Sequence, residues 1–174
     1  MDGERILVAT ASKMGSTAEI GEAIAERLRQ AELLVDTAPA RDVRSLVPYR
    51  AVVLGSATYI MRWRRDALAF IRRFRRELAE RDLWLFQSGP LDHSAEEKTY
   101  PLPRKVESWI GDLRFRGHAT FGGRIDPERA KGSIASSMVK QGRGQDFRDL
   151  ELIRVWADSI AHELQAPTQV PDHH

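Results

Sequence analysis

Small hydroxyl-bearing residues are concentrated in one short segment near the N-terminus of this 174-residue chain. The segment consists of Ser12, Lys13, Met14, Gly15, Ser16 and Thr17. It follows a short apolar run and precedes a helical pattern, so it offers backbone N–H groups, hydroxyls and the positive end of a helix dipole. We therefore predict a phosphate site at residues 12–17. Ser16 or Thr17 is also expected to cap the helix, and capping alone would explain both hydroxyls without a ligand.

The spacing in this turn excludes several familiar sites. Gly15 stands alone, so the Gly-x-Gly-x-x-Gly fingerprint is absent, and no Gly-Lys-Ser/Thr sequence follows it. The chain has no cysteine, which rules out disulfides and thiolate ligands. No metal-ligand spacing and no Gly-x-Ser-x-Gly elbow occurs either. Dinucleotide, triphosphate, metalloenzyme and hydrolase sites are therefore not expected.

The elements that position this turn follow from the apolar pattern, in which short apolar runs alternate with helical periods. Strands are predicted at 5–10, 33–37, 51–55, 83–86 and 118–121, and helices around 20–28, 67–78, 106–113 and 149–164. This order predicts a doubly wound α/β domain over 1–166, with a long loop at 124–148 and a disordered tail at 167–174. Ligands of such a sheet bind at the carboxyl ends of its strands. Loops 11–17, 56–63 and 87–100 leave those ends.

Residues 8–19 resemble the flavodoxin phosphate loop, Ser/Thr-x-Thr-Gly-x-Thr after an apolar strand. Ser12, Gly15 and Thr17 match this pattern, whereas Met14 stands where the family usually has threonine. The likeness extends over most of residues 4–164. It implies a flavodoxin-like five-stranded parallel sheet in the order 2-1-3-4-5 with helices on both faces, and FMN as the cofactor.

The resemblance also assigns roles to the other two loops. In the second loop, Ala57, Thr58 and Tyr59 match the segment that places an aromatic ring against the isoalloxazine, and Trp63 is a less favoured substitute for Tyr59. The third loop contributes Ser88, Gly89 and Leu91, whose backbone groups would face the pyrimidine edge. This loop lacks the second stacking aromatic of a typical flavodoxin.

Positive charge is concentrated in one part of the chain, although the net charge is only +2 and the pI is about 9.1. Eight arginines lie between Arg62 and Arg81. They form either a solvated helix face or a docking surface for anions, including peripheral membrane contact through Arg62–Arg76. No nucleic-acid motif accompanies them, so nucleic acid is not expected as a partner. Neither a membrane-spanning run nor a signal peptide is found, and we expect a cytoplasmic protein.

The basic character, the segment 124–148 and a final helix opened by Asp149-Leu150-Glu151 resemble the flavodoxin-like, quinone-linked protoporphyrinogen oxidases. This likeness implies an enzyme that oxidises a small reduced substrate and passes electrons to a quinone. Arg62, Arg64 and Arg65 would then meet substrate carboxylates. Two alternatives stay open: an electron carrier or NAD(P)H–quinone reductase, and an interaction domain that has lost FMN.

Overall fold

Strands and helices alternate along the chain, as the apolar pattern predicts. The computed structural model describes residues 4–12, 15–59, 62–89, 101–122 and 150–166. The strands are β1 (Arg5–Ala11), β2 (Val35–Pro39), β3 (Tyr49–Tyr59), β4 (Arg62–Trp63), β5 (Asp82–Ser88) and β6 (Phe115–Phe121). The helices are α1 (Ser16–Gln30), α2 (Arg65–Arg73), α3 (Arg75–Leu78), α4 (Arg104–Ile110) and α5 (Leu150–Gln165), and a 3-10 turn covers Ala40–Asp42.

Five parallel strands form one sheet in the order β2-β1-β3-β5-β6. This is the predicted 2-1-3-4-5 order of parallel strands, which is confirmed. The two-residue β4 is an addition that the sequence did not predict, and it pairs antiparallel with the end of β3. Because β1 and β3 are neighbours at the point where the winding reverses, their carboxyl ends flank the place where doubly wound sheets bind ligands.

Both faces of the sheet are buried, and β1 shows how one strand serves both. Ile6 and Val8 pack with α1 and α5 on one face, whereas Leu7 and Ala9 pack with α2 and α4 on the other. Side chains alternate between faces along a strand, so a strand covered on both sides must be apolar throughout. Burial of each large apolar side chain stabilises the fold by roughly 1.5–3 kcal/mol.

An aromatic cluster joins β5, β6 and α5. The ring of Phe86 lies 6.2 Å from that of Phe121 and 6.1 Å from that of Trp156, and the last two rings are 5.7 Å apart. Phe86 also lies directly over Gly55 of the neighbouring β3, where an added Cβ would approach ring atoms to 2.0–2.4 Å. Position 55 therefore accepts only glycine while the Phe86 ring keeps its place.

A polar network ties the amino-terminal edge of the sheet together. Arg5 of β1 donates two hydrogen bonds, of 3.0 and 2.6 Å, to the carboxylate of Asp36 in β2. The Tyr49 hydroxyl of β3 donates a third, of 2.9 Å. These donors, Arg5 above all, hold the pKa of the Asp36 carboxyl below its ordinary value, although partial burial acts in the opposite direction.

Several predicted boundaries are wrong. The single helix expected over 67–78 is two helices, because Phe74 leaves helical geometry with φ −103° and ψ 20° and packs its ring 4.9 Å from that of Phe70. The second strand begins at Val35 instead of residue 33, since Glu32 takes a positive φ of 66° after α1. The third and fifth strands are longer than predicted. The expected loop at 124–148 and tail at 167–174 lie outside the described residues.

Replacement of Gly55 by alanine is expected to destabilise the fold by about 1–3 kcal/mol, because the new Cβ forces the Phe86 ring out of its packed position. The control is Gly117→Ala in β6, where no heavy atom lies within 4 Å of the added Cβ. Urea unfolding of both variants measures the difference. Equal stabilities for the two variants would contradict the packing of Phe86 over Gly55.

The Asp36 network gives a pH dependence of stability. Because folding lowers the pKa of Asp36, its contribution is present above the unfolded-state pKa and is lost as the pH falls through the folded-state pKa. We expect Asp36→Asn to lower the melting temperature by a few degrees at pH 7. The gap between variant and parent should close under acidic conditions. Melting curves across the acid range test this, and a gap that does not change with pH would contradict it.

Candidate cofactor-binding site

The turn after β1 brings Ser12 and Gly15 together. The Gly15 N–H donates a 2.9 Å hydrogen bond to the Ser12 Oγ atom, and Gly15 has a φ of 84°. This left-handed conformation strains any residue with a Cβ, so glycine is required here for a physical reason. The Gly15 carbonyl then accepts the first helical hydrogen bond, from Glu19 N–H, at 3.0 Å. Lys13 and Met14 lie outside the described residues.

The predicted capping of α1 by Ser16 or Thr17 is wrong. Gly15 is the N-cap residue, and no side-chain cap hydrogen bond forms among the described residues. Ser16 and Thr17 are the first two helical residues, and both are buried. The Thr17 hydroxyl lies 2.7 Å from the Ser88 hydroxyl at the end of β5, in a buried hydrogen bond. Thr17 therefore connects the first loop to the third.

In the second loop, the end of β3 pairs antiparallel with the two-residue strand β4. Thr58 pairs with Trp63 and Tyr59 pairs with Arg62, so the chain turns back on itself directly after the predicted aromatic position. Ser56 is buried, and its hydroxyl accepts a 3.0 Å hydrogen bond from Arg64 N–H. We call residues 58–63 the β3–β4 hairpin.

The third loop starts in contact with the second. Ala57 is the register partner of Ser88, and the Thr58 hydroxyl donates a 3.1 Å hydrogen bond to the Ser88 carbonyl. The backbone of Gly89 comes so close to Thr58 that an added Cβ would lie 3.0 Å from its Oγ1 atom. Gly89 N–H also donates to the Phe121 carbonyl, at 3.3 Å. Leu91 lies outside the described residues.

A second polar network, which sequence reasoning missed, supports the hairpin from below. The Trp63 indole N–H donates a 3.0 Å hydrogen bond to the Gln87 Oε1 atom, and the Gln87 amide donates to Thr120 Oγ1 at 2.9 Å and to the Pro101 carbonyl at 3.2 Å. Trp63 is only 5% exposed, so its suggested role as a stacking ring is wrong. The sequence feature that could have indicated this network is Gln87, a polar residue at the end of the apolar run of β5.

The residues present fit a phosphorylated flavin. The left-handed Gly15 turn directs the start of a 15-residue helix toward the carboxyl edge of the sheet, which suits a phosphate. The carboxyl ends of β3 and β5 lie side by side next to it and are joined through Thr58 and Ser88. Among the described residues, no group of His, Asp or Glu has the arrangement of a metal site.

Comparison with known proteins agrees with this geometry. The family described as "Flavodoxin domain" matches residues 7–133, and the chain belongs to this family. FMN is the cofactor of the family, so the cofactor prediction is confirmed at that level. The individual contacts of residues 12–17, 57–59, 88, 89 and 91 with FMN stay predictions. Comparison with curated protein sequences gives no match.

Solved structures show the same fold at low sequence identity. A flavodoxin from the domain Archaea aligns with a TM-score of 0.63 and 13% identity, covering 93% of this chain and 99% of its own. Flavodoxin 2 from Bacillus cereus aligns with a TM-score of 0.62 and 19% identity, covering 91% and 99%. Rubredoxin oxygen:oxidoreductase from Desulfovibrio gigas has a TM-score of 0.63 and 14% identity over 93% of this chain and 36% of its own.

The arginine-rich surface is exposed, as predicted. Arg62, Arg65, Arg72, Arg73 and Arg76 are all exposed. None of the described helices combines the length and apolarity that a membrane span requires. Peripheral membrane contact through Arg62–Arg76 stays a prediction.

We expect Thr17→Val to destabilise the protein by about 1–3 kcal/mol, because it leaves the buried Ser88 hydroxyl without its partner. Ser88→Ala should have a similar effect. The double variant should be less destabilised than the sum of the two, since neither hydroxyl is then left alone. Urea unfolding of the four proteins measures this coupling, and strictly additive effects would contradict it.

Proposed function

We propose that the chain is an FMN-dependent oxidoreductase of the protoporphyrinogen oxidase type, which oxidises a reduced substrate bearing carboxylates and passes the electrons to a quinone. The observation that supports this proposal is the pairing of Tyr59 with Arg62 in the β3–β4 hairpin. This pairing puts an exposed arginine beside the position that the flavodoxin resemblance gives to the flavin-stacking aromatic.

The hairpin favours recognition of an anion at this edge. Trp63 is buried and neighbouring Arg62 is exposed, as alternation along a strand requires. The Arg64 Nε atom is buried without a hydrogen-bond partner among the described residues, whereas Arg62 is exposed and can meet an incoming acceptor. Guanidinium groups bind carboxylates through paired, charge-assisted hydrogen bonds. A substrate carboxylate held by Arg62 would therefore lie beside the position that the flavodoxin resemblance gives to the flavin-stacking aromatic.

When bound, FMN supplies the capacity to accept a hydride or electrons. In each two-electron turn the substrate loses two electrons and two protons, and one quinone gains both and becomes a quinol. The work of the protein is to bind and orient. The Gly15 turn and α1 would hold the phosphate end, the Thr58–Ser88 contact would keep the neighbouring strand ends together at the flavin edge, and Arg62 would select for an anionic substrate.

The first experiment is an absorption spectrum of the protein reconstituted with FMN, followed by steady-state assays. We expect flavin bands and turnover of protoporphyrinogen with menadione, and much slower turnover of NAD(P)H with menadione. Flavin bands together with faster turnover of NAD(P)H than of protoporphyrinogen would overturn the proposal and indicate an NAD(P)H–quinone reductase. Flavin bands without turnover of either donor would indicate an electron carrier.

The role of Arg62 has its own test. Arg62→Gln is expected to raise the KM for protoporphyrinogen about tenfold with little change in kcat, because the arginine would bind the substrate in the ground and transition states alike. The matched control is Arg76→Gln, an exposed arginine on α3 away from the hairpin. Equal KM values for both variants and the parent would overturn the role of Arg62.

A further inference from the structure

A groove runs between α2 and α4 on the outer surface of the molecule, with a volume of about 440 Å³. One side of α2 and two residues of α4 line it. Small-molecule sites commonly have volumes of roughly 300–1,000 Å³. The groove is therefore large enough for a small ligand, and its lining shows which kind.

Four cations line the groove, and none of the described residues that line it is a carboxylate. They are Arg65, Arg72 and Arg73 of α2 and Lys105 of α4, and all four are exposed. None of them forms an ion pair with a carboxylate in the part of the chain that the structure describes. Their mutual repulsion disfavours the free groove, so an anionic ligand would be stabilised there.

Two arginines elsewhere on the helices are paired with carboxylates. Arg75, which follows α2, donates to Asp112 at 3.1 Å, and Arg27 of α1 donates to Asp158 of α5 at 2.7 and 3.0 Å. On α1 and α3 the protein thus supplies carboxylate partners for individual arginines. The concentration of positive charge in the groove is a local feature and not a uniform property of the surface.

The floor of the groove is apolar and partly aromatic. Leu68 and Trp109 are half-buried and pack against the core beneath the cations. The Lys105 Nζ atom lies 5.2 Å from the centre of the Trp109 ring. An aromatic ring flanked by a cation favours a flat apolar body that also carries negative charge.

The cations are separated along the groove. Both helices follow strands of the parallel sheet and begin at its carboxyl edge, so Arg65 and Lys105 lie at that end. Arg72 and Arg73 lie seven and eight residues further along α2, which is about 10–12 Å at the rise of an α-helix. A ligand that spans the groove would meet one pair of cations at each end.

We propose that this groove binds a small amphipathic dianion, in which a flat apolar body separates two carboxylate or phosphate groups. The body would lie on Leu68 and Trp109, and the two anionic groups would pair with the cations at the two ends. Arg65 begins α2 two residues after the β3–β4 hairpin, but the proposal rests on the groove lining and does not depend on the proposed oxidation reaction.

The test uses the full-length, FMN-saturated protein and biphenyl-4,4′-dicarboxylate, a rigid dianion with its charges at opposite ends of two phenyl rings. The readout is the indole N–H signal of Trp109 in a 15N-correlated NMR spectrum, assigned by its loss in Trp109→Phe. We expect saturable movement of this signal and weaker binding at higher salt. Biphenyl-4-carboxylate, with one charge, should bind at least fivefold more weakly.

Charge-removing variants then locate the site. Arg72→Gln with Arg73→Gln is expected to weaken binding of the dicarboxylate at least tenfold. Arg65→Gln with Lys105→Gln should have a similar effect at the other end. Arg44→Gln, an exposed arginine between β2 and β3, is the control and should change the Kd less than twofold. All are surface substitutions, and unchanged melting curves would show that the variants are folded.

Four results would overturn the proposal. The first is a Trp109 signal that does not move, and the second is a Kd that the groove variants leave unchanged. The third is sedimentation of the protein with phosphatidylserine vesicles without binding of the dicarboxylate, which would assign the four cations to a lipid surface. Equal binding of the monocarboxylate would overturn the requirement for two charges.

Discussion

The buried hydrogen bond between the hydroxyls of Thr17 and Ser88 connects the elements that meet at the carboxyl edge of the sheet. It joins the start of α1 to the end of β5, and Thr58 joins the end of β3 to the same residue through the Ser88 carbonyl. Neither hydroxyl has access to water, so each needs the other as a partner. The described residues Thr17, Thr58 and Ser88, one from each of the three predicted loops, are therefore joined to one another without a ligand.

The part of the fold that could be predicted is the part that depends on local pattern. Uninterrupted apolar runs such as Ile6–Ala9 are typical of strands covered on both faces, and their alternation with helices leaves few possible topologies. The match to the flavodoxin loop singles out Gly15, but its left-handed φ and its N-cap position are seen only in the structure. The cap at Thr17 could not be predicted correctly, because its actual partner is Ser88, 71 residues further along the chain. The same holds for Trp63, whose place is decided by Gln87.

The arginines of this protein differ in whether they have a carboxylate partner. The sheet and the α1–α5 contact use bidentate arginine–carboxylate pairs, as between Arg5 and Asp36, to join separate elements. The outer side of α2 carries arginines for which the described residues supply no such partner. The net charge of +2 does not show this difference between paired and unpaired arginines, because it counts all charges together.

The contact between Phe121 and Trp156 has a consequence for how this domain can diversify. The two rings lie 5.7 Å apart and fix both ends of the connection from β6 to α5 within one aromatic cluster. Closing a longer connection costs only about 0.6 kcal/mol for each doubling of its length. Insertions and deletions between these two anchors are thus cheap for the fold, which makes this position one where related chains can vary without disturbing the sheet or the loops at its carboxyl edge.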